Sequence, residues 1–324
     1  MYPAYLEAYQ NKTLNKIIDK TFEMLESCCL CPRKCRVNRL KNEKGFCKTG
    51  LKPKVYSFIS HHGEEPPISG KSGSGTIFFS NCNMGCQYCQ NYDFSQLGQG
   101  KEVELEELAG FMLELQKLGC HNLNLVTPTH IMPQILKSLD IAIPLGLKLP
   151  LVYNTSGYEL PEVIALLKGI VDIYLTDMRY AKNDMAVKYS LAPNYPDYNQ
   201  KSVKQMHKQV GVVEINNRGI ITRGLIIRHL VLPNNISGTE EIMKFIAKKV
   251  HRETYISLMS QYLPYYKASG LPDISRRLTI EEYERANESM HRYGLANGWV
   301  QESYGLERFA GIHIKPFLKK EDAA

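Results

Sequence analysis

The stretch TIFFSNCNMGCQYCQNY, residues 76–92, decides how the rest of the chain is read. Thr76–Ser80 is a short apolar run of the kind that forms a buried strand. Cys82, Cys86 and Cys89 follow it at once, spaced C-x3-C-x2-C. Three thiols in one loop are too close and too few for an ordinary structural role. A structural zinc site takes four closed ligands, and an iron–sulfur cubane normally takes four cysteines. With three, one position stays open to a substrate or cofactor. Zinc remains an alternative here, with His61, His62 or Cys120 as a fourth ligand.

Outward from this loop, strand and helix patterns alternate. ELEELAGFMLELQKLG at 104–119 reads as an amphipathic helix, and NLNLVT at 122–127 as the next strand. Helix, LPLVYN strand, helix and VDIYLTD strand then lead to a polar helical excursion over about 182–209 and a hairpin. GLIIRHLVLP and TYISLMS give a fifth and a sixth strand, a late helix covers TIEEYERANESMHRYG, and NGWVQE allows one more strand. Alternating strands and helices imply parallel βα units. Six units fall short of a closed eightfold barrel, so the fold class expected is α/β, an open or partial (β/α)6 barrel. Its chemistry belongs at the carboxyl ends of the strands, where the cysteine loop lies.

Residues 1–27 read as helical, and 28–75, rich in Cys, Gly and Pro, as irregular. The expected organisation is an N-terminal helix and cysteine-rich metal-binding extension (1–75), the partial barrel (76–300) and a C-terminal tail (301–324). With 44% hydrophobic and 23% charged residues the chain has the makings of a proper core. No apolar run approaches the ~20 residues of a membrane span, and the N-terminus lacks the order of a signal peptide, so a cytoplasmic location is expected. The formal charge of +7 is spread along the chain, which favours a mildly basic surface over nucleic-acid binding.

The nine cysteines fall into two groups and a singleton, a pattern of metal sites rather than disulfides in a reducing cytosol. Cys28, Cys31, Cys35 and Cys47 are spaced C-x2-C-x3-C-x11-C and predict a second site, zinc or iron–sulfur, with Cys29 as alternate or spare. Cys120 reads as an inert core thiol. GKSGSG at 70–75 fails as a phosphate loop, because Glu65 stands where the first glycine belongs.

The triad, with Tyr88 just before its last cysteine, resembles the signature of radical S-adenosylmethionine enzymes. LCPRKC, a later GFC, EEPPISG, VTPTH, YNTSGYE, DIYLTDMRY, IRHLVLP and MSQYLP extend the likeness over most of residues 28–265. Together they resemble the pyruvate formate-lyase activating enzyme-like branch and a poorly characterised iron–sulfur subgroup within it. That resemblance implies a [4Fe–4S] cluster on Cys82, Cys86 and Cys89. Its open iron would bind S-adenosylmethionine and cleave it reductively to a 5′-deoxyadenosyl radical that abstracts hydrogen. It further implies an electron donor such as a flavodoxin or ferredoxin, and a glycyl radical protein as substrate. A small molecule or a nucleic-acid base is the alternative, and a non-catalytic redox or metal-binding module a weaker one.

The resemblance also assigns cofactor-binding candidates. Many relatives carry Gly-Gly-Glu where this chain has Thr127, Pro128, Thr129 and His130. Threonine hydroxyls can still accept from an ammonium, though Thr129 would equally cap a helix. Asn154, Thr155 and Ser156 suit a ribose or carboxylate, or a turn and helix cap. Asp177 and Arg179 stand where the activating enzymes have Asp-x-Lys, and a rim salt bridge is the plainer reading. Strand alternation puts Arg228 and His229 on opposite faces, with Arg228 toward the cofactor and His229 buried. Met259 and Gln261 would meet an adenine, although Met there is more often simply core. No residue is assigned as catalytic.

Overall fold

A computed structural model describes residues 2–301. Ten strands make one sheet and its hairpin: β1 (Lys54–His61), β2 (Ser74–Phe79), β3 (Lys101–Glu102), β4 (Leu123–Val126) and β5 (Leu151–Thr155), then β6 (Ile173–Asp177), β7 (Glu214–Ile215), β8 (Ile221–Leu230), β9 (Tyr255–Met259) and β10 (Gly298–Val300). β2, β4, β5, β6, β8, β9 and β10 pair parallel in that spatial order, and β7 adds an antiparallel hairpin to β8. Helices follow six of these strands, including Leu105–Lys117, Met132–Ala142 and Ile280–Arg292. The sheet does not close on itself. The open (β/α)6 barrel is therefore what the chain forms, with β10 as the further strand.

The parallel strands are short apolar runs because both their faces are covered. All six residues of β2 and all five of β5 and β6 are buried. Outside the sheet, Leu108, Met112 and Leu115 of the first crossover helix pack into the main core with Ile135, Leu136 and Leu139 of the second. Inside it, Ile68, Val152, Ile173, Leu175 and Ile226 form a separate apolar layer.

The N-terminal region bears out one expectation and corrects another. The helical stretch is two helices, Tyr5–Gln10 and Thr13–Glu23, broken at Lys12 with φ +61°. Residues 54–61, within the stretch read as irregular, form β1, which runs antiparallel to β2 while β3 pairs with β1. Val55, Tyr56, Phe58 and Ile59 are the β-branched and aromatic types that favour a strand. The extension thus adds its own strand to the barrel sheet. Beyond residue 301 the expected tail lies outside the described residues.

The β1–β2 connection, residues 62–73, positions the site. Since β2 runs parallel to β4, this loop sits at the amino ends of the barrel strands, with Cys82–Cys89 at the opposite end. Asn122 Nδ2 donates to the Ile68 carbonyl at 2.8 Å, and Ser72 N to His121 Nε2 at 3.2 Å. With Ile68 in the inner apolar layer, the loop closes the bottom of the barrel.

Candidate active site

A cavity of about 800 Å³ runs inside the strands from the cysteine loop to the bottom loop. That volume lies within the range of small-molecule and cofactor sites. Tyr88, Cys89, Asn154, Asp177, Arg179, Arg228, Met259 and Gln261, all singled out in the sequence, line it.

The cysteine loop is held from several sides. Gly85 N donates to the Ser190 carbonyl at 2.9 Å, Gln87 N to Tyr189 O at 2.8 Å and Asn83 Nδ2 to Tyr158 O at 2.7 Å. Met84, Tyr88, Tyr158, Tyr180, Tyr189, Tyr195 and Tyr262 pack around Cys86 as a mostly aromatic collar. Each sulfur has a polar neighbour: Met84 N to Cys82 at 3.4 Å, Ser190 Oγ to Cys86 at 3.1 Å, and Ser95 Oγ at 3.1 Å from Cys89. Arg179 Nη1 stands 3.4 Å from Cys86 Sγ. Because Ser190 donates to Cys86, it accepts from Tyr180 (2.7 Å), which in turn accepts from Tyr88 (2.7 Å). The Tyr88 hydroxyl therefore heads a chain that ends on a sulfur, one of the interactions that set a cluster's potential.

Burial, reinforced by the neighbouring Cys86, pushes the Cys82 thiol up to about 12 and that of Cys89 to about 11. Such thiols become thiolates when a cation binds them. Among the described residues no three Cys, His, Asp or Glu side chains converge as around a single ion; in a cubane each thiol takes a different iron. The donors already aimed at the sulfurs, with a guanidinium among them, suit an anionic thiolate-bound cluster. Cys120 lies in the main core before β4, at the barrel's other end, so it is no fourth partner for the triad.

Next to the loop, Asp177 is clamped by two cations. Arg179 Nε reaches its Oδ2 at 3.0 Å and Arg228 Nε its Oδ1 at 2.9 Å. Burial would raise its pKa, but Arg228 and Arg179 prevail and hold the carboxyl below the usual aspartate range. The rim salt bridge read from the sequence is present. Arg228 continues to Asn154 Oδ1 at 2.6 Å and Glu64 Oε2 at 3.5 Å. Gly157 (φ +75°) keeps this corner tight, since a Cβ there would lie 2.3 Å from the Asp177 carbonyl.

His229 faces away, fully buried. Its Nδ1 donates to Met178 O at 2.6 Å and its Nε2 accepts from Thr239 Oγ1 at 2.9 Å. Burial lowers its pKa to about 4, a neutral structural histidine.

The remaining candidates are placed elsewhere. Thr127 is half-buried beside the cavity, its hydroxyl donating to Asn154 O at 2.8 Å. Thr129 and Thr155 both donate to Glu159 Oε1, and Ser156 is buried with its hydroxyl unpartnered. His130 donates from Nε2 to Ser80 O at 2.9 Å and borders a different space, a cavity of about 10 Å³ lined by Cys28, Cys31, Cys35 and Cys47.

Arg39, only 1% exposed, crosses that small cavity, donating to Gly50 O and His130 O and reaching Cys28 Sγ at 4.0 Å. Arg33 stacks on Phe46 at 3.5 Å and donates to Asn83 O at 2.9 Å, inside the triad loop. The two cysteine groups are thus mechanically joined.

Glu64, Glu65, Ser257 and Trp299 also line the large cavity and were not picked out in the sequence, while His61 and His62 entered only as zinc alternatives. EEPPISG contains the two acids, but only the fold of the bottom loop turns them inward.

The chain is thus an open, mostly parallel βα sheet with a three-cysteine loop at the carboxyl end of β2, its first parallel strand. The model of the Radical SAM superfamily, SAM being S-adenosylmethionine, matches residues 76–246. A Methanocaldococcus jannaschii protein described as uncharacterised is 35% identical over 300 residues, 90% of this chain and 82% of its own. Among solved structures, Streptococcus suis SuiB bound to precursor peptide SuiA is similar with TM-score 0.46 and 13% identity, over 73% of this chain and 47% of SuiB. HydG, a maturase of the [FeFe]-hydrogenase, gives 0.47 and 13%, over 90% of this chain and 64% of HydG. The chain spans less than two thirds of either structure. This chain belongs to the radical SAM superfamily. Membership implies an enzyme using a [4Fe–4S] cluster and S-adenosylmethionine. Among the described residues no helix is long and apolar enough to cross a membrane.

Proposed function

We propose that Cys82, Cys86 and Cys89 hold the [4Fe–4S] cluster and that S-adenosylmethionine occupies the cavity next to them. When bound, the pair supplies a 5′-deoxyadenosyl radical that abstracts hydrogen from a small polar molecule. The observation that carries this is the cavity itself, which runs from Cys89 of the triad to Glu64 and Glu65 of the bottom loop. A site of that shape suits a small second ligand.

Within it, Arg179 would balance the thiolates and Arg228 with Asn154 would orient the cofactor's polar groups. Met259 and Gln261, at the end of β9, offer a surface and a hydrogen-bonding edge for the adenine. Asp177 acts through the two arginines by fixing their direction. Thr127 belongs to this group by position. Thr129, Thr155, Ser156 and His130 support the strand ends on which it rests.

The sequence likeness to the activating enzymes supports a second reading, a glycine loop of a partner protein entering from the cysteine side. In either case the electron comes from a flavodoxin- or ferredoxin-like donor. The four N-terminal cysteines form a second metal site in this proposal, because the buried Arg39 beside them suits an anionic metal–thiolate centre. All nine cysteines are free thiols, which fits a reducing cytoplasm.

Anaerobic reconstitution with iron and sulfide, then reduction with dithionite in S-adenosylmethionine, tests the reading. Wild type should form 5′-deoxyadenosine and Cys86→Ala none. Cys31→Ser should lose metal from the second site and keep the triad's iron. Zinc filling the triad, with no cluster under any reconstitution, would refute it.

A further inference from the structure

Three carboxylates and two guanidiniums line the large cavity: Asp177, Glu64 and Glu65 against Arg179 and Arg228. Asp177 takes both arginines, and Glu64 shares Arg228 at 3.5 Å while accepting from Asn124 Nδ2 at 3.0 Å. Glu65 is the third carboxylate against two guanidiniums: it is 8% exposed, feels the charge of Arg228 already held by Asp177 and Glu64, and has Ser257 as its hydrogen-bonding neighbour, while its Oε2 has no hydrogen-bond partner. A buried carboxylate whose nearby cation is shared three ways costs stability unless something more pairs with it.

The position of Glu65 says what that something is not. The six residues of β2 separate the bottom loop from the cysteine loop, about 20 Å of strand. A cofactor anchored at the thiols leaves the floor to a second ligand. Trp299, which also lines the cavity and pairs in the sheet with Ser257, adds an aromatic side chain of the kind that attracts cations.

Resting on the proposed radical chemistry, we propose that the hydrogen donor carries a protonated amine, received on the barrel floor by Glu65 with Glu64 beside it. The carboxylate pair and the aromatic wall select the cationic nitrogen against neutral or anionic isosteres. Arg228 holds Glu64 in place.

The test is calorimetric titration of the reconstituted protein with three probes of equal length: 1,5-diaminopentane, 1,5-pentanediol and glutarate. Each is run with and without saturating S-adenosylmethionine. The diamine should bind at least about tenfold more tightly than the others, a difference of the size one buried charge pair provides, and should still bind beside the cofactor. Glu65→Gln should remove that preference, Glu65→Asp should retain part of it, and Glu64→Gln should weaken it less. Equal binding of the three probes, binding of none, or a diamine preference that survives Glu65→Gln overturns the inference. Competition between diamine and S-adenosylmethionine also overturns it, assigning the floor to the cofactor. If the loaded wild type fails to bind S-adenosylmethionine itself, the underlying reading has failed instead.

Discussion

The two cysteine groups use the same side chain in opposite settings. The triad borders, through Cys89, about 800 Å³ of space lined by both polar and apolar groups, and the N-terminal four enclose about 10 Å³. The first has hydroxyl, amide and guanidinium neighbours at its sulfurs and a cavity in front of them. The second has a guanidinium tied to carbonyls and no comparable room for a ligand. In the proposed function, open space beside the thiols, rather than the thiols themselves, distinguishes a reactive centre from a brace. Arg33 links the two by its bond to Asn83 O.

That contrast can be broken most severely at the triad. Cys86→Ala should reduce 5′-deoxyadenosine formation by at least about a hundredfold, since an incomplete cluster loses the coordination the chemistry requires. Activity within tenfold of wild type would erase the distinction. Arg228→Ala comes next, leaving Asp177 and Glu64 without their shared cation. Removing one partner of a buried pair costs about 3–5 kcal/mol, readable in urea unfolding.

Glu159 sharpens the comparison from the supporting side. Burial outweighs the hydroxyls of Thr129 and Thr155 and raises its pKa to about 7 from 4.5. A folded-state pKa above the unfolded one favours the protonated form on folding. Its stabilising contribution is complete below pH 4.5 and lost as pH rises through 7, about 3 kcal/mol in all. Glu159→Gln should flatten this part of the stability–pH curve between pH 4.5 and 7. An unchanged slope would show that Glu159 ionises there without penalty.

Arg33→Ala should have the smallest effect, about 1–2 kcal/mol from the hydrogen bond and the ring contact. The informative readout is iron retention by the triad, expected to fall as its loop loosens. Loss of stability with full retention would uncouple the two cysteine groups.

What the sequence made legible was local. Apolar runs with turns between them gave β2, β4, β5, β6, β8 and β9, and alternation alone separated Arg228 from His229. The spacing of Cys82, Cys86 and Cys89 marked the centre. β1 was obscured because Cys, Gly and Pro on either side of residues 54–61 suggested irregular chain, although its own residues favour a strand. Glu64 and Glu65 were hidden for a different reason. Their place depends on a bottom loop fixed by Asn122 and His121, some fifty residues later, and no local pattern carries that contact. Thr129 and Thr155 pointed to the cofactor by strand position, but Glu159 turns their hydroxyls toward itself.

The most direct measurement is electron paramagnetic resonance of the reduced, reconstituted protein before and after S-adenosylmethionine is added. A [4Fe–4S]⁺ signal that shifts with the cofactor, and is absent when Cys82, Cys86 and Cys89 are all replaced by Ala, is the expected result. A signal that ignores S-adenosylmethionine, or that survives loss of the triad and disappears with Cys28, Cys31, Cys35 and Cys47, would put the reactive centre in the wrong place.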